Sequence, residues 1–158
     1  MDDKHLIIDG FNVIFAVPKL VSLFRKSESS AKFELEKLVQ LIHDVDLWMV
    51  TLVYDGKGSK LDIQHPFAQQ TFTVVHCPSD RSADAVIERM ITKSHHPDRI
   101  TVVTNDHLIR DAAHASGAVY QSVEALLDWS ESCSKKNASL NRTRKSSIDQ
   151  DWGNRIPL

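Results

Sequence analysis

Short apolar runs alternate with amphipathic stretches along most of the chain. Residues 5–9 (HLIID), 49–55 (MVTLVYD), 72–76 (FTVVH), 99–106 (RITVVTND) and 118–121 (AVYQ) are rich in Val, Ile and Thr and read as strands. Their apolar positions are nearly continuous, which suits a parallel sheet covered on both faces. Between them, Leu35, Leu38, Val39, Ile42 and Val45 fall on one helical face. Ala83, Val86, Ile87, Met90 and Ile91 form a second stripe behind Ser82, a good helix cap. Leu108, Ile109, Ala112 and Ala113 form a third, stopped by Gly117, and Ser122 leads a fourth carrying Val123, Leu126 and Leu127. Pro18 suits the start of a short earlier helix, residues 18–26. The order β-α-α-β-β-α-β-α-β-α predicts an α/β sandwich around a mainly parallel sheet. Residues 56–66 read as a loop with two glycines and two lysines, and no internal repeat is present.

After Trp129 the pattern fails. Residues 133–158 are rich in Ser, Asn and charge without a sustained period, so one domain is expected over residues 1–132, followed by a flexible basic tail. Charge sharpens this division. The tail holds Lys135, Lys136, Arg142, Arg144, Lys145 and Arg155 against Asp149 and Asp151, a net +4, and the overall −2 leaves −6 for the rest. An acidic body with a basic extension fits a cation site on the first and an anionic partner for the second. At 158 residues, 42% apolar and 25% charged, the chain has the composition of an ordinary globular domain. No run approaches a membrane span, the first residues lack the regions of a signal peptide, and the expected location is the cytoplasm. Cys77 and Cys133 are far apart and outside any zinc-ligand spacing, so neither a disulfide nor a zinc site is expected.

The candidate chemistry lies at the strand ends. In an open parallel sheet, ligands bind in the crevice beyond the carboxyl ends of the strands. Asp9, Asp55 and Asp106 end three predicted strands, and Asp84, in the first turn behind Ser82, is placed near the same rim. Glu88 follows Asp84 on nearly the same helical face. Clustered carboxylates repel one another unless neutralised, and hard oxygen ligands suit Mg²⁺ or Mn²⁺. Each has a structural alternative: Asp55 can close a turn, Asp84 can favour the helix dipole, and Asp106 can cap the helix beginning at His107. Four such coincidences at one rim are harder to explain than one.

The segment IIDGFNVIF, followed in order by LVYDG, SADAVIERM and RITVVTNDHLIRDAAHASGA, resembles the YacP-like NYN domains of the PIN-like nuclease superfamily over roughly residues 5–130. The resemblance implies a three-layer, Rossmann-like PIN/NYN fold. It further implies a divalent-metal-dependent endoribonuclease that hydrolyses single-stranded RNA, acting in mRNA decay or on ribosomes. Asp9, Asp84 and Asp106 would hold Mg²⁺ or Mn²⁺, with Glu88 and Asp55 as secondary ligands. Asn12 would orient a phosphate or a metal-bound water, and Thr104 and Asn105 would shape the turn presenting Asp106. Lys57, Arg81 and His107 near the rim are candidate substrate contacts. Two departures stand out: Phe11 replaces the family's usual tyrosine, and residues 56–70 differ from the central loop of YacP-like relatives. The competing class is a non-catalytic RNA- or ribosome-binding module of the same fold, although concentrated negative charge gives an RNA binder nothing. A haloacid-dehalogenase-like phosphatase lacks support because position 11 is Phe where its DxD pattern needs Asp, and no GxGxxG or P-loop motif is present.

Overall fold

The computed structural model describes residues 3–155, with side chains described through residue 143. The element order is β1 (His5–Asp9), α1 (Gly10–Ala16), α2 (Pro18–Lys26), α3 (Glu28–Asp46), β2 (Met49–Tyr54), β3 (Asp62–Gln64), β4 (Phe72–His76), α4 (Ala83–Lys93), β5 (Ile100–Val103), α5 (His107–Ser116), β6 (Val119–Gln121) and α6 (Val123–Arg155). The strands form one sheet in the order β3-β4-β2-β1-β5-β6, parallel throughout except where β3 runs antiparallel to β4.

Alternation along β1 sorts its side chains into two cores. Leu6 and Ile8 join Val13, Leu20, Leu35, Val39, Ile42 and Leu126 on the side of α1, α2, α3 and α6. Ile7 joins Ile87, Ile91, Ile109 and Ala113 on the side of α4 and α5. Three layers result, and β1 is buried on both faces, as its unbroken apolar run requires. The predicted caps form: Ser82 Oγ accepts from Ala85 N at 3.1 Å, Ser122 Oγ accepts from Ala125 N at 3.1 Å, and Pro18 opens α2. Both cysteines are buried and free.

Three expectations are corrected. A helix follows β1 at once, because Asp9 itself caps α1, accepting from Asn12 N at 3.4 Å. The segment expected as a loop contains β3, whose three exposed residues are ordered by pairing with β4 rather than by a pattern of their own. The irregular tail is replaced by helix: α6 runs on to Arg155. Residues 130–152 contain neither Gly nor Pro, and Glu131 and Lys135 pair one turn apart at 3.5 Å. Packing against α3 passes the expected boundary, since Cys133 is buried and Lys136 Nζ lies 3.5 Å from Asp46. Nearer the core, Trp129 Nε1 donates to Asp46 at 2.6 Å and Ser130 Oγ donates to the Leu38 carbonyl at 2.7 Å. The side chains of Arg144, Lys145, Asp149, Asp151 and Arg155 lie outside the described residues, as does the chain from residue 156. Among the described residues, no helix is long and apolar enough to cross a membrane.

Candidate active site

Adjacent parallel strands deliver the first and last of the acidic residues. β1 pairs with β5 in a register that sets Ile8 beside Val103, so Asp9 and the residues after β5 emerge at one sheet edge. Asp9 stays buried there, 8% exposed, and its Oδ1 caps α1. The turn after β5 is tied down twice. Thr104, fully buried, accepts from Asp106 N through Oγ1 at 3.0 Å, and Asn12 Oδ1 accepts from Asn105 N at 2.8 Å. Asn12 therefore joins α1 to the turn that presents Asp106, with its amide oxygen committed to backbone. Asp106 Oδ1 accepts from Leu108 N at 2.8 Å and caps α5. Asp55, following β2, accepts from Ala83 N at 2.8 Å and so anchors the start of α4. That bond brings Asp84, the next residue, over the same edge.

The capping readings and the cluster reading are thus compatible, because a carboxylate that gives one oxygen to a local cap keeps the other. Asp84 is coupled electrostatically to both Asp9 and Asp106. Burial, then the Asp84 charge, with a further contribution from Asp55, pushes the Asp9 carboxyl up to about 7, against a smaller opposing effect of the Asn12 N–H. Burial and then Asp106 raise Asp84. Among the described residues, neither group forms an ion pair with a lysine or arginine. Cys77, beside them, is raised by burial and by Asp55 and Asp9, which keeps its thiol protonated.

Among the described residues, no group of three or more His, Cys, Asp or Glu side chains is gathered closely enough to hold a metal ion as it stands. The donor chemistry still fits a hard cation. All the groups are carboxylates, their charge is uncompensated, and Mg²⁺ commonly takes one or two carboxylates and keeps several waters. Asp9, Asp84 and Asp106 are the residues that could hold it, with Asp55 at the margin. Glu88 is exposed on α4, one turn beyond Asp84. Arg81 and His107 are exposed near the rim with no side-chain contact to the acids, and Lys57 lines a cleft beside Asp55. His95 and His96 precede the turn at Pro97–Arg99. Trp48 and Trp129 meet edge to face at 4.8 Å, whereas Phe33 is 52% exposed.

Two residues of the cleft beside Asp55 escaped the sequence pattern. His76 ends β4 as Asp9 ends β1, so the strand-end rule that singled out the aspartates also applied to it. Lys32, beside the apolar stripe of α3, lies 3.3 Å from His76 Nε2 and 4.8 Å above the Tyr54 ring. Its weak signal is that position alone, next to buried Ala31.

The Thr104 bond yields a prediction. Thr104→Val keeps the shape but leaves the Asp106 N–H without its acceptor, so it should cost about 1–2 kcal/mol in urea unfolding. An unchanged unfolding midpoint would mean that the turn does not depend on this bond.

Comparison with known proteins agrees with this architecture. The profile of the YacP-like NYN domain matches residues 6–156, through the whole of α6. The crystal structure of Rae1 (YacP) from Bacillus subtilis superposes with a TM-score of 0.71 at 25% identity, covering 97% of this chain and 86% of that one. Its W164L mutant superposes with a TM-score of 0.75 at 23% identity, covering 92% and 86%. No curated protein sequence matches significantly. The order of the strands, the acidic edge and the extent of the profile match converge on one assignment: the chain belongs to the YacP-like NYN domain family, a nuclease-type family.

Proposed function

We propose that the protein is a divalent-metal-dependent endoribonuclease acting on single-stranded RNA. The observation that carries this reading is the convergence of Asp9, Asp84 and Asp106 at the carboxyl edge of the sheet, where burial and neighbouring carboxylates raise Asp9 and Asp84 and neither has an ion pair with a lysine or arginine among the described residues. Such an arrangement is costly for the protein alone and useful when a cation and a phosphodiester share the edge. A bound Mg²⁺ or Mn²⁺ supplies charge neutralisation at the phosphate and lowers the pKa of water. The chain's own residues set the geometry. Thr104 and the Asn12–Asn105 bond hold Asp106 in place, and Asp55 holds Asp84 through the start of α4. Asp9 must lose its proton to serve as a ligand, which its raised pKa ties to pH near neutrality. Lys57, Arg81 and His107 are the candidates for phosphate contact at the rim.

The test is cleavage of a circular single-stranded RNA, which only an endonuclease can open. Mn²⁺ or Mg²⁺ should produce linear product, and EDTA should prevent it. Binding of the circle without linear product under any divalent ion would instead support a non-catalytic RNA-binding module.

A further inference from the structure

Beside the acidic edge lies a cleft of about 360 Å³ lined by Glu28, Lys32, Asp55, Lys57, Lys60 and His76, among others. Asp55 belongs to both places: it lines the cleft and raises Asp9. Three of the lining residues are acids, and each already has a partner. Asp55 accepts from Ala83 N at 2.8 Å, Asp62 accepts from Gln64 Nε2 at 2.9 Å, and Glu28 lies 3.8 Å from Lys32. Lys57 and Lys60 are exposed and have no ion-pair partner among the described residues. The formal charges of the cleft's lysines and acids balance, and Asp55 and Asp62 keep their charge, but Lys57 and Lys60 are exposed ammonium groups that no ion pair among the described residues holds in place, so both can turn to an incoming anion.

The cleft is also built rather than incidental. Lys32 is 18% exposed at the side chain, and its ammonium sits between the Phe11 ring at 5.1 Å, the Tyr54 ring at 4.8 Å and His76 Nε2 at 3.3 Å. Burial and then Lys32 hold His76 low, so the imidazole is neutral and can accept from the ammonium. Its Nδ1 is buried without a hydrogen-bond partner, 3.7 Å from Asp62. At the other wall, Gly56 lies so close to the Cys77 carbonyl oxygen that a Cβ would overlap it, and Ser79 N donates to the Gly58 carbonyl at 2.9 Å. These contacts fix the strand-end loop from which Lys57 and Lys60 project.

We propose that this cleft is a phosphate subsite of the substrate strand, in which Lys57, Lys60 and Lys32 hold a backbone phosphate neighbouring the one at the acidic edge. The proposal rests on the nuclease reading for its substrate, single-stranded RNA. It also explains how a strand can dwell beside carboxylates: attraction is supplied next to the repulsion, chiefly by the ammonium groups of Lys57 and Lys60, which no internal acid has claimed.

The experiment measures binding of a 2′-O-methyl single-stranded oligonucleotide, which resists cleavage, to the full chain in EDTA across a salt series. Lys57→Ala/Lys60→Ala removes two exposed side chains. It should weaken binding about tenfold and lower the slope of log affinity against log salt by about 0.7 for each phosphate no longer neutralised. Lys19→Ala/Lys93→Ala removes the same charge elsewhere and should leave the slope near wild type. Lys32→Gln, which keeps an aliphatic stem over the rings, should also lower the slope. Equal slopes in the cleft and control variants, or a wild type that does not bind the oligonucleotide, would overturn the subsite. Cleavage of RNA by a protein whose cleft variant keeps the normal slope would remove the subsite and leave the nuclease reading standing. Salt-dependent loss of binding in a protein that cleaves no RNA would do the reverse.

Discussion

Asp9→Asn should stabilise the metal-free protein at pH 8 while abolishing its cleavage of RNA. The stability effect follows from linkage. The Asp9 carboxyl is pushed up to about 7 in the fold from 3.8 in the open chain, so between these values the folded state keeps a proton that the unfolded state releases. Its contribution to stability therefore falls as pH rises through that window and levels off above about 7. Asparagine carries no such cost and retains an oxygen to accept from Asn12 N, so the cap of α1 survives. The gain should grow from small near pH 4 to on the order of 2–4 kcal/mol above pH 7, because each pH unit of the window is worth about 1.4 kcal/mol. Thermal melts of both proteins from pH 4 to 9 in EDTA check this. Curves that stay parallel across the series would mean that Asp9 is not an uncompensated buried acid. Saturating Mn²⁺ should then raise the wild-type midpoint more than that of the variant, because a ligand that binds only the folded state stabilises it.

The second large effect is expected at Gly10, directly after Asp9. A Cβ there would lie 2.6 Å from Tyr54 Cδ1 and Cζ and overlap Cε1, and Tyr54 is fully buried. The ring is stacked on His76 at 5.4 Å and meets Phe11 edge to face at 5.0 Å, so it has nowhere to retreat. Gly10→Ala, ordinarily favourable in a helix, should here destabilise by about 1–3 kcal/mol through overpacking, read as a lower urea midpoint. Gly10→Ala/Tyr54→Leu should recover part of the loss, since the clash is with that ring. A stable single variant would show that α1 can shift away from β2 without cost.

Gly10 thus has a packing role against Tyr54, which no pattern in the sequence marks. Other features were more legible. The five apolar runs became β1, β2, β4, β5 and β6 because parallel strands buried on both faces need such runs. Asp9, Asp55 and Asp106 were recognisable from their place at strand ends, and Ser82 marked the start of the helix that carries Asp84. α1 was hidden because GFNVIFA continues the apolar run of β1, with no polar break to reveal a change of period. β3 has three exposed residues and no pattern apart from its partner. The extension of α6 was hidden because beyond Cys133 almost every described position is exposed, and a helix without a packing face shows no hydrophobic period. Asn12 shows the same limit at the site. The family resemblance implied that it orients a phosphate or a metal-bound water, and nothing in the sequence pointed to the partner of its amide oxygen, a backbone N–H 93 positions away.

These contacts describe an edge on which Asp9, Asp55 and Asp106 each accept from a backbone N–H, while Asp9 and Asp84 are left electrostatically strained by their neighbours. The cost is borne by the fold, and the proposed return is a cation held where an RNA phosphate can reach it. The measurement that tests this most directly is single-turnover cleavage of labelled single-stranded RNA by the wild type, Asp9→Asn, Asp84→Asn and Asp106→Asn as Mn²⁺ is titrated. Metal-saturable cleavage is expected of the wild type, with a loss of about a thousandfold or more in each variant, all remaining folded. Cleavage that persists in EDTA, or that survives in all three variants, would contradict a metal held by these aspartates.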